Sequence, residues 1–202
     1  IDSFDFSKFY VNKFRNRSVK YCQLIGPSVF IWKKNKAQYI NDYFDHIFSI
    51  FEIEKKFYIK EKYSYIGHPL LKNIIQKNSQ KFPIKNIGIF LGSRYQEIIN
   101  NISIIYNLIN DLKKLDDFNF QFFVTKEFEI LTKNYFIDKN FQFSLNDQEY
   151  YNKLSKLDFA FACSGTVHLE LSFSQIPHFI FYKAIWINYL IFKFLLDQNI
   201  YL

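Results

Sequence analysis

The sequence predicts an α/β fold built from parallel sheets in two successive blocks. Three observations carry that prediction. Short apolar runs of strand length alternate with longer stretches of helical period, the pattern of strand-helix-strand units feeding a parallel sheet. A polar stretch with a proline, KNSQKFPIKN at 77–86, carries turn chemistry and no period. Beyond it the alternation restarts, so the expected division is a first domain over 1–76, a linker over 77–86 and a second domain over 87–202.

In the first block Asp5 or Ser7 is placed to cap a helix running through Phe14. The strand candidates that follow are VKYCQLI (19–25), HIFSIF (46–51) and YSYIG (63–67), with helical stretches at 35–44 and 53–61 between them. In the second block the strands are IGIFL (87–91), FQFFV (120–124), FQFSL (141–145), FAFAC (159–163) and HFIFY (178–182). Between the first two, residues 96–115 set Ile98, Ile99, Ile102, Ile105, Ile109 and Leu112 at intervals of three and four, an amphipathic helix. Shorter helices are expected over 149–157 and 167–174.

The run 179–196 is almost wholly apolar, but Lys183, Asn188 and Lys193 interrupt it. A charge near a bilayer centre costs about 2.5–3.5 kcal/mol on insertion scales. The pattern therefore favours a strand ending at Tyr182 and an amphipathic helix from Ile185 over a membrane span.

With 202 residues, 49% of them hydrophobic, the chain can bury a real core, which excludes a disordered segment. The net charge of +7 suits an anionic partner: nucleic acid, a phosphorylated ligand or an acidic membrane surface. The lysines are scattered without a dense basic block, which argues against nucleic acid. Cys22 and Cys163 lie in separate apolar runs and read as two buried free thiols. The four histidines show no metal-ligand spacing, so no metal or other cofactor is expected. The chain opens mid-pattern, at IDSFDF, as a piece of a longer protein would.

Two strands of the second block end in small residues that open a helix, FLGSR (90–94) and CSGT (163–166). In an open parallel sheet ligands lie beyond the carboxyl ends of strands, where backbone N–H groups at helix starts favour phosphate. At the first turn Gly92 and Ser93 bring the chain round, and Arg94 adds a charge-assisted, forked donor. At the second, Ser164 and Thr166 are placed to cap the next helix, while Gly165 lets the backbone approach a ligand. Glu170 follows Thr166 by one helical turn on the same face, where a carboxylate could accept the two hydroxyls of a ribose. A hydrolytic trio of Ser164, His168 and Glu170 is the competing reading, but the GxSxG elbow is absent, with Ala162 in the first glycine position. Near the amino end, Asp2 and Asp5 are candidate general bases.

Six segments occur in one order: IDSFDF (1–6), GPSVFIW (26–32), IGHPLL (66–71), FLGSRYQE (90–97), CSGTVHLE (163–170) and IPHFIFYK (176–183). Together they resemble the lipid-A-disaccharide synthase family, glycosyltransferases of the GT-B fold. The family's segments read IDxPDF, SPSVWAW, GHP, LPGSRxxE, SGTxxLE, and PxVxY followed by Lys or Arg. Phe4 stands where that pattern has proline, Phe30 and Ile31 replace a Trp-Ala pair before Trp32, and Leu91 replaces the proline before Gly92. The family's glycine-rich GExSGD-like segment and its carboxyl-terminal segment are not in this sequence.

The resemblance implies two Rossmann-like parallel-sheet domains, both incomplete, with 1–76 on the acceptor side and 87–202 on the UDP-sugar side. It implies inverting hexosyl transfer from UDP-2,3-diacylglucosamine to 2,3-diacylglucosamine 1-phosphate, with no cofactor. Asp2 corresponds to the family's catalytic base, and Gly92, Ser93 and Arg94 to its contact with the nucleotide diphosphate. Ser164, Gly165, Thr166 and Glu170 correspond to the UDP pocket. The implied partners are the two acylated substrates and a membrane surface met peripherally, on the inner face of a bacterial inner membrane. Nucleic acid is not among them, and a homodimer is left open. A UDP-sugar 2-epimerase of the same architecture is the alternative enzyme, and a basic nucleic-acid-binding domain the non-enzymatic one.

Overall fold

The computed structural model describes residues 4–16, 18–29, 35–76, 82–136, 142–145 and 149–181, with the backbone alone for 142–145. The described residues form two compact units, one up to Leu71 and one from Lys72 onward. Each is a mixed α/β unit around a sheet in which every pairing is parallel.

The first unit runs α1 (Phe4–Phe14), β1 (Cys22–Leu24), α2 (Asn35–Tyr43), β2 (His46–Ser49) and β3 (Tyr63–Tyr65), with β2 central. Val11 of α1, Ala37 and Ile40 of α2 and Ile47 of β2 make its core with Val29, Phe44 and Tyr58 from the connections.

Three expectations are corrected here. The stretch 53–61 forms two 3-10 turns, Glu52–Phe57 and Lys60–Lys62, separated by extended residues. A run so short does not recover the nucleation cost of an α-helix. Helix α1 begins at Phe4, so Asp5 lies inside the first turn and Ser7 is buried within the helix, and neither is its cap. Cys22 is exposed, and only Cys163 is buried. Side chains alternate along β1, and Gln23 takes the inward position, its amide donating to the Ile25 carbonyl at 3.1 Å.

The second unit runs β4 (Asn86–Phe90), α3 (Tyr95–Leu112), β5 (Asn119–Val124), α4 (Glu129–Tyr135) and β6 (Gln142–Leu145). It continues through α5 (Tyr150–Leu154), β7 (Phe159–Cys163), α6 (Val167–Phe173) and β8 (His178–Phe181). The strand order is β6-β5-β4-β7-β8. The chain builds outward from β4 through β5 to β6, then returns to β4's other side and builds outward again through β7 to β8. An open parallel sheet leaves a crevice at such a reversal, beyond the carboxyl ends of the strands.

Alternation along β4 gives the unit two apolar layers. Ile87 and Ile89 pack with Ile98, Ile102, Ile105 and Ile109 of α3, and Phe90 packs on the other side with Leu154, Leu157 and Leu171. Each such side chain contributes about 1.5–3 kcal/mol on burial. Gly88 is required by this packing, since a Cβ there would lie 2.5 Å from Leu157 Cδ1. At the amino ends of the strands, buried Asp158 accepts the N–H groups of Lys85 and Asn86 at 3.1 and 2.9 Å, tying β7 to β4. Ile99 departs from its expected place and is 37% exposed, while Asn101 takes a buried position on α3.

The expected helix from Ile185 and the strand end at Tyr182 lie outside the described residues. Among the described residues no helix is long and apolar enough to cross a membrane.

Candidate functional site

The reversal of strand order puts the ends of β4 and β7 side by side, with Phe90 paired to Ala162. Both glycine turns therefore leave the sheet at one place. Gly92 turns with φ +117°, and a Cβ on it would lie 2.7 Å from Glu97 Oε2 and 2.8 Å from Glu97 Cβ. The conformation and the close approach both demand glycine.

Glu97 reaches back over the first turn. Its Oε2 accepts the N–H groups of Ser93 at 3.1 Å and Arg94 at 3.3 Å, and its Oε1 accepts Arg94 Nη1 at 2.9 Å. This carboxylate caps the start of α3. The backbone donors that the sequence offered to an anion are thus taken by Glu97. The Arg94 side chain stays 81% exposed, with the rest of its guanidinium unpaired among the described residues.

The second turn is open. Ser164 N–H donates to the Phe181 carbonyl of β8 at 3.2 Å. Thr166 precedes α6 with φ −62° and ψ −27°, and α6 receives no side-chain cap. The expected caps from Ser164 and Thr166 are therefore not formed. A capping side chain needs an extended backbone to reach the N–H groups ahead of it, and Thr166 is already helical. Among the described residues the N–H groups of Gly165, Thr166 and Val167 donate to no acceptor. Nothing lies within 4 Å of a Cβ built on Gly165, so this glycine faces open space.

Between the turns lies a cavity of about 310 Å³. Gly92, Ser93 and Arg94 line one side, Ser164, Gly165 and Thr166 the other, and Glu170 contributes a carboxylate. The expected binding residues converge here, while Asp2 lies outside the described residues. Phe90 and Phe123 stack at 4.6 Å in an apolar wall, and Tyr150 meets Phe123 edge-on at 5.7 Å.

The Tyr150 hydroxyl donates to Glu170 Oε2 at 2.5 Å. Burial pushes the Glu170 carboxyl above the usual range, and the Tyr150 bond pulls it down. Burial, then Glu170, pushes the Tyr150 phenol up, so it remains a neutral donor. Burial, then neighbouring His178, holds His168 below the ordinary histidine value. Among the described residues His168 and Ser164 share no hydrogen bond, so no hydrolytic trio forms.

Glu97, Tyr150 and Thr125 line this cavity without having been singled out from the sequence. Glu97 was legible as an acidic residue three positions after Arg94, the spacing of a capping carboxylate. Thr125 directly follows β5, and its hydroxyl is buried without a partner among the described residues. Its signal is its place at a strand's carboxyl end. Tyr150 reaches the site from another helix, and nothing in its neighbourhood marks it.

A family model described as lipid-A-disaccharide synthetase matches residues 1–201. The chain belongs to that family. The lipid-A-disaccharide synthase of Aquifex aeolicus is 30% identical over 183 residues, covering 84% of this chain and 48% of that protein. The lipid-A-disaccharide synthase of Campylobacter jejuni serotype O:2 is 33% identical over 178 residues, covering 84% and 46%. Lipid-A-disaccharide synthase 1 of Legionella pneumophila strain Philadelphia 1 is 29% identical over 185 residues, covering 85% and 48%. The chain spans about half the length of the curated relatives it matches. The family and the names of these relatives lend nothing to the epimerase alternative.

Proposed function

We propose that this chain carries the UDP-sugar site of an inverting hexosyltransferase. The reaction joins UDP-2,3-diacylglucosamine to 2,3-diacylglucosamine 1-phosphate, giving lipid A disaccharide 1-phosphate and UDP. The observation that carries the reading is the meeting of two glycine turns around one cavity at the strand-order reversal, in a chain of this family.

In this reading residues 1–76 belong to the acceptor side, 77–86 link, and 87–202 bind the UDP-sugar. The diphosphate lies between the outward donors of Arg94 and the unpaired N–H groups at Gly165 to Val167, with the ribose at Glu170. The acceptor's 6-hydroxyl oxygen attacks the anomeric carbon from the face opposite UDP, through an oxocarbenium-like transition state. The bond from that carbon to the UDP oxygen breaks, and the hydroxyl proton passes to Asp2, the base the family resemblance assigns. Charge gathering on the departing diphosphate is met by donors already in place. Both substrates carry acyl chains, which puts the reaction at a membrane surface, and the net charge of +7 suits an anionic one. The cytoplasmic face of a bacterial inner membrane is the corresponding location.

The test is a calorimetric titration of the full chain with UDP, followed by incubation with labelled UDP-diacylglucosamine and its acceptor. Saturable UDP binding supports the site, and disaccharide formation supports the reaction. A chain that binds no UDP ends the proposal, and conversion of UDP-N-acetylglucosamine to its epimer without acceptor would replace it.

A further inference from the structure

We infer that Tyr150 is the positioning residue that orients Glu170 toward the nucleotide ribose and holds it ionised. The inference rests on the UDP-site reading above. Tyr150 and Glu170 come from different helices, α5 and α6, and both line the cavity. The Tyr150 hydroxyl has one proton, and it is directed at Glu170 Oε2 over 2.5 Å. Among the described residues this is the one hydrogen bond of the Glu170 side chain, so Oε1 is left to an incoming hydroxyl.

The ring that carries the hydroxyl is itself fixed. It stands edge-on to Phe123 at 5.7 Å and to Tyr151 at 5.1 Å, and it is 8% exposed. A glutamate side chain turns freely about several bonds; anchoring one oxygen to a packed ring sets the plane of the carboxylate before any ligand arrives.

The bond also selects a charge state. A half-buried carboxyl tends to protonate, and a protonated Glu170 would lose much of its pull on a ribose hydroxyl. The phenol donates to the ionised form and so opposes burial. Tyr150 of α5 bonds Glu170 and Tyr151 feels its charge, Arg94, Glu97 of α3 and Cys163 line the same cavity, and His168 lies two positions earlier on α6, where it feels His178. Arg94 is already paired with Glu97, which leaves Tyr150 as the group bonded to Glu170 that favours its charge.

The experiment compares UDP with 2′,3′-dideoxy-UDP, titrated into the full chain and its variants across pH. The wild-type chain is expected to prefer UDP by at least about tenfold, the size of a charge-assisted hydrogen bond. Tyr150→Phe should remove most of that preference while leaving dideoxy-UDP affinity within about twofold. It should also move the acid limb of UDP binding to higher pH, because the carboxyl that loses its donor protonates more readily. In a Glu170→Gln background the tyrosine substitution should add nothing. Glu170→Asp, which withdraws the carboxylate from Tyr150 without disturbing the ring, should lose the ribose preference as well. A Tyr150→Phe chain with wild-type preference and pH limb overturns the inference, as does one that weakens both nucleotides equally. Ribose preference retained in Glu170→Asp also overturns it. A wild-type chain that binds UDP without ribose preference removes Glu170 from the ribose, and Tyr150 with it. A chain that binds neither nucleotide refutes the UDP site itself.

Discussion

The Asn101 amide nitrogen lies 3.3 Å from the Cys163 sulfur and also donates to the Leu91 carbonyl at 2.9 Å. One side chain from α3 thereby joins the end of β7 to the end of β4, directly beneath the two turns. Asn101 is 2% exposed, and its own carbonyl oxygen has no partner among the described residues. A half-satisfied amide is a poor core residue, so its worth lies in the two strand ends it aligns. Asn101→Leu leaves the Leu91 carbonyl buried without a donor and should lower stability by about 1–3 kcal/mol. Urea unfolding measures that loss, and a UDP titration should show weaker binding beyond it.

The two glycines predict opposite outcomes. Gly92→Ala forces a Cβ at φ +117° against Glu97, and a strained backbone of this kind costs about 1–3 kcal/mol. The denaturation midpoint should fall accordingly. Gly165→Ala meets nothing within 4 Å and should leave the midpoint within about 0.5 kcal/mol of wild type. It should weaken UDP binding instead, because its methyl group stands where a ligand would approach.

Arg94 separates binding from folding in another way. Its pair with Glu97 is exposed, and such pairs contribute about 0–1 kcal/mol. Arg94→Ala should therefore melt like wild type while losing about tenfold or more in UDP affinity, the range for a hydrogen bond to a charged group. Arg94→Lys should recover only part of it, since an ammonium lacks the guanidinium fork.

In the first unit Glu54 makes stability depend on pH. It is 2% exposed, with Oε2 lying 2.5 Å from Ser49 Oγ. Ser49 Oγ also lies 3.1 Å from both the N–H and the carbonyl of Phe51. The Phe51 carbonyl also accepts the Tyr63 hydroxyl at 2.9 Å, and the Ser49 hydroxyl donates to Glu54 over the shorter contact, a bond that favours the ionised carboxylate but is outweighed by burial. Burial raises the carboxyl's folded pKa above its unfolded value. Its stabilising contribution is then complete below the ordinary carboxylate pKa and is lost as pH rises through the folded value. Glu54→Gln keeps an oxygen that accepts the Ser49 hydroxyl without the charge. It should be more stable than wild type at about pH 8, with the gap closing toward about pH 4, as read from urea unfolding across that range.

The second sheet was plain in the sequence because strands covered on both faces read as continuous apolar runs, as IGIFL and FAFAC do. The smaller sheet was harder. Its strands are only three or four residues long, and along β1 the inward place falls to Gln23, so Cys22, expected to be buried, is exposed. The turns at Gly92 and Gly165 were visible as small residues closing apolar runs, and the strand order then made them neighbours. Tyr150 and Asn101 were not visible. Tyr150 reaches 20 positions along the chain to Glu170 and Asn101 reaches 62 to Cys163, and no local period records contacts of that length. Thr166 misled through its type: threonine before a helix suggests a cap, but its backbone torsions withhold the geometry.

Glu97 gives the first turn an anion of its own, and that bears on timing as well as shape. The loop is ordered when the chain folds, so its loss of conformational entropy is not a cost of capturing a ligand. Association then depends on encounter and on small side-chain adjustments rather than on closing a loose loop. Departure is eased by the same arrangement, because the turn keeps its hydrogen bonds when a diphosphate leaves. If the cavity holds UDP as proposed, a receptor that is equally well formed when empty suits the release of a highly charged product after each round.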